Sequence, residues 1–320
     1  EERVYRKIHK LECWSEVKLF TISTSLSKVC LNKFLKHLKL MKRDKFNEGM
    51  IYFLVHLGGS FPEYTKYSVN QIYKKDRKCK IYLCGDVKPD FIDKDFTFID
   101  INELDITSNN NYFANDPNPL WRTSILRIFA INSFMQKYNI EGIIHFDNDV
   151  MIYDNFNKIK KYFKKKNYIT PHKTTEYAFG FSYLNNKDDF KKLSDKIQKI
   201  IEKGENEVKK LTGDEAHEMR LLNFCGEGLI ESLPVHPEIN DVAGYVFDPS
   251  SYGQYIGGTP NGHPPGFVDE TQLIGTFLKN NPNIVFNKED NLYNLLNNNK
   301  VYKIFNLHIH SKKLNEFYYE

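Results

Sequence analysis

The sequence predicts an α/β fold with a mainly parallel central sheet flanked by helices, and three observations carry that expectation. The run Met50–Leu57 is apolar almost throughout, as in a strand buried on both faces, and Gly58-Gly59-Ser60 closes it with a tight turn. Between Pro119 and Tyr138, the apolar residues Leu120, Ile125, Ile128, Phe129, Ile131, Phe134 and Met135 recur at helical period. That helix feeds into Gly142-Ile143-Ile144-His145-Phe146-Asp147-Asn148-Asp149-Val150, an apolar, β-prone segment ending in two carboxylates. Strands alternating with helices, and polar groups at strand C-termini, are the pattern of a parallel sheet.

The elements follow in order. Residues 1–48 read as a basic helical prefix, with Leu31, Phe34, Leu35 and Leu38 at helical spacing. Residues 49–320 read as a single domain behind it. After the Met50 strand come a helix over Tyr67–Lys74, a strand at Ile81–Cys84 and a third at Phe96–Ile101. An Asn-rich loop precedes the Pro119 helix. In the second half, Tyr177–Leu184 reads as a strand, and Lys187–Glu202 and Asp214–Phe224 as helices. Val246–Gly258 reads as a Gly/Tyr-rich ordered loop over a site, Thr271–Leu278 as a short helix, and Val301–His310 as one last strand. Trp14 and Trp121 read as core anchors, and no internal repeat is evident.

Composition narrows the function. With 41% hydrophobic and 27% charged residues, the chain reads as soluble and globular with a substantial core. Its 45 basic and 41 acidic residues leave a net charge of only +4, which argues against nucleic acid as a partner held by bulk electrostatics. The Lys158-Ile159-Lys160-Lys161 and Asn297-Asn298-Asn299-Lys300 runs read as solvated faces and turns. Cys13, Cys30, Cys79, Cys84 and Cys225 are odd in number and show no CxxC spacing, so they read as buried, reduced thiols of a cytoplasmic-type compartment. No apolar run reaches membrane-spanning length and no signal-peptide pattern opens the chain. The start at Glu1 without Met leaves room for a longer multidomain polypeptide.

The chemistry concentrates in three places. Asp147 and Asp149 are two apart at a strand end, so they share a face and form a site for a hard divalent cation with positions open to phosphate oxygens. The same acids also suit a solvated turn after a core strand. In Asn306-Leu307-His308-Ile309-His310-Ser311-Lys312, an extended backbone puts His308, His310 and Lys312 on one face, as metal ligands and a counter-charge, or as the polar side of a surface strand. Phe247-Asp248-Pro249-Ser250-Ser251-Tyr252-Gly253-Gln254-Tyr255-Ile256-Gly257-Gly258, continuing to Asp269 and Glu270, is too rich in Gly and Pro for a regular element. Asp269 and Glu270 are read as opening the short helix that follows, with a capping or a catalytic role.

Arg127 on a helix, twenty positions before a strand ending in Asp147-Asn148-Asp149, resembles the nucleotide-sugar glycosyltransferases of the GT-A fold, whose hallmark is a DxD motif. The resemblance implies a GT-A-like domain using Mn2+ or Mg2+ and a nucleotide-sugar donor, a UDP-sugar in the first instance. By it, Asp149 would bind the metal, and Asp147 would share the metal and touch the ribose, with Asn148 between them. Arg127 would stand near the donor sugar. His56, Leu57 and Gly58 end the strand where these enzymes hold the nucleotide. A His near the C-terminus completes the metal shell in many members, and a following Lys holds the β-phosphate. His308, His310 and Lys312 are similar to that arrangement but depart from the longer His-Gly-Lys spacing of the glycogenin-like family, so either His fits. The Asp248 block with the Asn306–Lys312 run is similar to glycosyltransferase-like proteins of microbes and viruses over roughly residues 50–313. Phe179-Gly180-Phe181-Ser182 resembles the strand flanking the donor sugar, or marks a bulge. The implied reaction is transfer of a sugar to a glycan or protein hydroxyl, with Asp269 or Glu270 as base if configuration inverts. Two other readings stay open: a nucleotidyltransferase acting on sugar phosphates, with Gly58-Gly59-Ser60 as its turn, and a non-catalytic module that binds a glycan or protein.

Overall fold

In the computed structural model of the chain, the described residues are 49–106, 119–213, 217–259, 263–281, 285–289, 292–297 and 300–318. They belong to one compact unit, Asn47–Glu320. The predicted prefix 1–48, with Trp14, Cys13 and Cys30, lies outside the described residues, as does the side chain of Trp121.

The central sheet has seven strands: β1 (Ile51–His56), β2 (Lys80–Gly85), β3 (Thr97–Asp100), β4 (Ile143–Phe146), β6 (Asn167–Lys173), β7 (Glu176–Leu184) and β8 (Ile230–Ser232). The remaining short strand of this half, β5 (Val150–Ile152), leaves the sheet. The order is β3-β2-β1-β4-β7-β6-β8, and only β7 runs against its neighbours. The architecture is therefore α/β with a mainly parallel sheet, as expected.

Burial on both faces explains the continuous apolar run of β1. Tyr52 and Leu54 join a core with Val69 and Ile72 of α1 (Thr65–Lys75). Phe53 faces the other layer, where its ring stacks 4.2 Å from Phe134 of α2 (Pro119–Tyr138). The predicted 3.6-residue stripe of α2 is its buried face: Ile125, Ile128, Phe129, Ile131, Phe134 and Met135 are all buried, whereas Leu120 at its start is exposed. On the same layer, α3 (Lys187–Ile201) is capped by Asn186, whose side chain accepts from the Asp189 N–H, and it buries Phe190, Leu193 and Ile197. Two short helices, α4 (Glu205–Thr212) and α5 (Glu218–Cys225), follow it. The start of the predicted Asp214–Phe224 helix falls at residues 214–216, outside the described residues. Cys79, Cys84 and Cys225 are buried and unbridged, as the odd count suggests.

The C-terminal part departs from expectation in three ways. Val301–His310 is two strands in different sheets. Lys300–Ile304 pairs in a four-stranded sheet with Val285–Glu289, Leu292–Asn297 and Tyr245–Val246, while Asn306–His308 pairs antiparallel with β5. We number these in chain order: β9 (Tyr245–Val246), β10 (Val285–Glu289), β11 (Leu292–Asn297), β12 (Lys300–Ile304) and β13 (Asn306–His308). Phe305 is buried at the crossing, and its carbonyl accepts from Tyr153 N–H. Second, the Gly/Tyr-rich segment holds one helical turn, α6 (Tyr252–Tyr255). Third, the helix expected from Thr271 begins only at Gly275, as α7 (Gly275–Asn280). Asp269 and Glu270 therefore do not open it; Asp269 instead accepts from the N–H and hydroxyl of Thr271 in the preceding turn.

Candidate functional site

The β4 strand ends at Phe146, and the next three residues form a tight turn into β5. Asp147 N–H donates to Gly180 O of β7 at 2.9 Å, and Val150 N–H donates back to Asp147 O at 3.1 Å. Asn148, between the two acids, is a tie. Its carbonyl oxygens accept from Thr65 Oγ1 at 3.1 Å and Ser68 Oγ at 3.0 Å of α1, and its amide donates to His56 Nδ1 at 2.9 Å. His56 therefore accepts through Nδ1, and burial lowers its pKa, which keeps it neutral. These bonds fasten the acidic turn to the end of β1.

The C-terminal run reaches the same place through backbone. β13 pairs with β5 with His308 opposite Val150, and Ile309 N–H donates to Asp149 O at 2.8 Å. Beyond it the chain turns. Lys312 N–H donates to Ile309 O at 3.0 Å, and Lys312 takes φ 63°, the left-handed region. His308, His310 and Lys312 thus converge through a turn, not through the extended strand that the sequence suggested.

One carboxylate oxygen each from Asp147 and Asp149 and one ring nitrogen of His308 lie within 4.8 Å of one another. His308 Nε2 is 3.1 Å from Asp149 Oδ1, and Lys312 Nζ donates to Asp149 Oδ2. Arg127 Nη1 donates to Asp147 Oδ1, and its Nη2 is 3.6 Å from Glu218 Oε1. Burial favours neutral carboxyls here, but the partners win: Arg127 holds Asp147, and His308 with Lys312 holds Asp149, well below the usual carboxylate range. Burial likewise opposes charge on His308, yet Asp149 leaves its pKa raised. The His310 ring centroid is 4.2 Å from that of His308, and burial with the neighbouring His308 pushes its pKa down to about 3.

This donor set fits a divalent cation. The carboxylate oxygens suit Mn2+ or Mg2+, and the imidazole suits a first-row transition ion better than Mg2+. His310 stays neutral, and its buried Nε2 has no partner among the described residues. Two features hold His308 in place. Gly180 leaves no room for a side chain, since a Cβ there would stand 2.9 Å from His308 Cε1 and 3.4 Å from Asp147 Oδ2. Ser250, also left-handed at φ 68°, brings its Oγ 2.9 Å from His308 Nδ1, which turns Nε2 toward Asp149.

A cavity of about 510 Å³ opens over this cluster. His56, Leu57, Arg127, Asp147, Asn148, Asp149, His308, His310 and Lys312 all line it. Gly58 does not; with Gly59 it spends its N–H on Asp86 Oδ2, at 2.7 and 3.2 Å. Neither Asp269 nor Glu270 lines it, and Glu270 is exposed and paired with Lys279 at 2.6 Å. Gly180 lies where β7 departs from β6 register: Ile169 opposes Ser182, but Thr170 opposes Ala178. It is in a bulge and beside the cluster at once.

Sequence reasoning missed two acids. Glu218 of α5 lines the cavity beside Arg127; burial lifts its pKa to about 7 against the pull of Arg127, and its Oε2 has no hydrogen-bond partner among the described residues. The helix read from Asp214 put it in the second turn, where nothing local flags it. Asp248 accepts N–H bonds from Ser251, Tyr252 and Gly253 at 2.7–3.0 Å and from His308 at 2.9 Å. An Asp followed by Pro-Ser-Ser-Tyr-Gly is a readable capping signal. Its second use, as the clasp on His308, joins residues sixty positions apart.

Among solved structures the chain is similar to several glycosyltransferases. GlyE of Streptococcus pneumoniae TIGR4 is 15% identical, with a TM-score of 0.39, over 58% of this chain and 45% of its own. The galactosyltransferase LgtC, solved in complex with donor and acceptor sugar analogues, is 13% identical, with a TM-score of 0.39, over 58% and 73%. Mouse xyloside xylosyltransferase 1 is 11% identical, with a TM-score of 0.38, over 58% and 85%. The chain spans less than half the length of GlyE. No protein-family model and no curated protein sequence matches it.

Proposed function

We propose that this chain is a metal-dependent glycosyltransferase that moves a sugar from a nucleoside-diphosphate sugar, a UDP-sugar in the first instance, to a hydroxyl of a glycan or protein. The observation that carries the reading is the convergence of Asp147, Asp149, His308 and Lys312 with Arg127 in one cavity of about 510 Å³. That volume lies within the range of small-molecule sites. A divalent ion held by Asp147, Asp149 and His308, with His310 as a further ligand, would supply Lewis-acid neutralisation of the diphosphate.

The chain's own residues do the rest. Lys312, half-exposed at the mouth, offers a point charge to a phosphate oxygen. Arg127 presents a fixed fork, held by Asp147 and Glu218, to sugar hydroxyls. His56 and Leu57 wall the end where the nucleotide enters. In the transfer, the bond from the anomeric carbon to the diphosphate breaks and a bond to the acceptor oxygen forms. Asp269 and Glu270 stand outside the cavity lining, so Glu218 replaces them as the carboxyl suited to exchange the acceptor's proton. The nucleotidyltransferase reading loses its phosphate-binding turn, because the N–H groups of Gly58 and Gly59 are already taken by Asp86.

The test is turnover of UDP-sugars with and without Mn2+, in the wild type and in Asp149→Ala. We expect Mn2+-dependent release of UDP that the variant loses while its far-UV circular dichroism is unchanged. Equal turnover in the variant, or in excess EDTA, would refute the reading.

A further inference from the structure

Away from the cavity, one edge of the sheet carries a concentration of positive charge that the reaction does not use. The β-ladder places Lys80, Ile51, Ile143, Leu184 and Asn167 in one row across the sheet, at the ends of the parallel strands opposite to the Asp147 turn. Two basic segments flank that row. Arg77 and Lys78 precede β2, just after the lysines that end α1. The run 158–166 precedes β6 and holds six lysines without one acid; no Asp or Glu occurs between Asp154 and Glu176. The two segments adjoin, since Lys158 acts electrostatically on Lys75.

The acids nearby, with Asp76 beside Arg77, Asp188 and Asp189 after β7 and Glu231 in β8 among them, are fewer than the basic residues of this edge. Asp154 and Glu141 take up Lys158 and Lys165, at 2.6 and 3.0 Å. Lys160, Lys161 and Lys164 are exposed. Because the whole chain is only +4, the residues outside this edge carry a net negative charge, and the charge is uneven in its distribution.

We infer that this edge is a docking surface for an anionic lipid bilayer. Two observations favour lipid over nucleic acid. The run is all Lys and no Arg, so it offers point charges suited to a diffuse anionic surface instead of the planar forks that grip single phosphates. In its middle Tyr162 is 54% exposed, an amphipathic ring placed where a bilayer interface would take it. No described helix is long and apolar enough to cross a membrane, and the contact inferred is a peripheral one. Docked by this edge, the molecule holds its cavity at the far end of the strands, away from the lipid. The inference is independent of the reaction at the cavity.

Sedimentation of the full chain with phosphatidylcholine vesicles, with and without phosphatidylserine, tests it. The expected result is binding to the anionic vesicles alone, lost at high salt. The triple variant Lys160→Glu, Lys161→Glu, Lys164→Glu should weaken it by about tenfold or more. The control Lys199→Glu with Lys203→Glu, in the last turn of α3 and just beyond its end, should not. Tyr162→Ala should weaken vesicle binding and leave retention on soluble heparin unchanged. Equal binding to both vesicles, or an unaffected triple variant, overturns the proposal. So does an equal loss in the control, or binding to duplex RNA that exceeds vesicle binding and ignores Tyr162→Ala.

Discussion

Glu218→Gln isolates the electrostatics of the cavity from its chemistry. Glu218 is 6% exposed, with Arg127 at 3.6 Å on one carboxyl oxygen and no hydrogen-bond partner on the other among the described residues. Burial lifts its pKa from 4.5 to about 7 despite Arg127. A rise of that size is worth about 3 kcal/mol. Its sign follows from proton binding. Between pH 4.5 and 7 the folded state holds this proton and the unfolded chain has lost it, so stability falls as pH rises through that window. Above pH 7 the cost is present in full. Gln keeps the shape and carries no charge, so its packing cost is the same at every pH. The stability difference between variant and wild type should therefore shift toward the variant by about 3 kcal/mol between pH 4.5 and 8. Urea denaturation at the two pH values reads it directly. A difference that does not change with pH, or that moves toward the wild type at pH 8, would mean that the Arg127 ion pair outweighs desolvation and would refute the reasoning.

The neighbours of His308 give three further outcomes. Gly180→Ala forces a methyl group against the His308 ring, and Mn2+ affinity measured by calorimetry should fall by about tenfold, with a smaller loss in Tm. Ser250→Ala removes the bond to His308 Nδ1 without opening the fold; Mn2+ affinity should fall by about tenfold while the denaturation midpoint stays near wild type. Asp248→Asn turns an NH2 toward backbone N–H groups that all need an acceptor, so urea denaturation should show a loss of about 3 kcal/mol.

What the sequence disclosed, and what it hid, divides along sequence distance. Periodicity located α2 with both ends correct, because twenty residues of one amphipathic face leave a strong pattern. The short strands β5, β8 and β13, of three residues each, leave almost none. Yet β5 and β13 assemble the site. Their pairing sets His308 opposite Val150, one residue after Asp149, and no local rule announces a partnership across so long a stretch of chain. The Val301–His310 alternation was legible, but the break at Phe305 was not, because that residue is as apolar as its neighbours and its turning is a matter of what it packs on. Its ring lies against Phe156, Phe181 and Phe247, from three separate segments. The same reasoning explains Glu218. An acid near the start of a helix, here after Asp214 and Glu215, is read as a favourable dipole contact with solvent around it. It becomes a group with a pKa of about 7 only once α5 packs against β7 and α2 and closes Arg127 over it. The acid pair is marked in sequence because both acids sit on one turn; the residues that orient, neutralise and cover that pair arrive from elsewhere, and only the folded core decides where they meet.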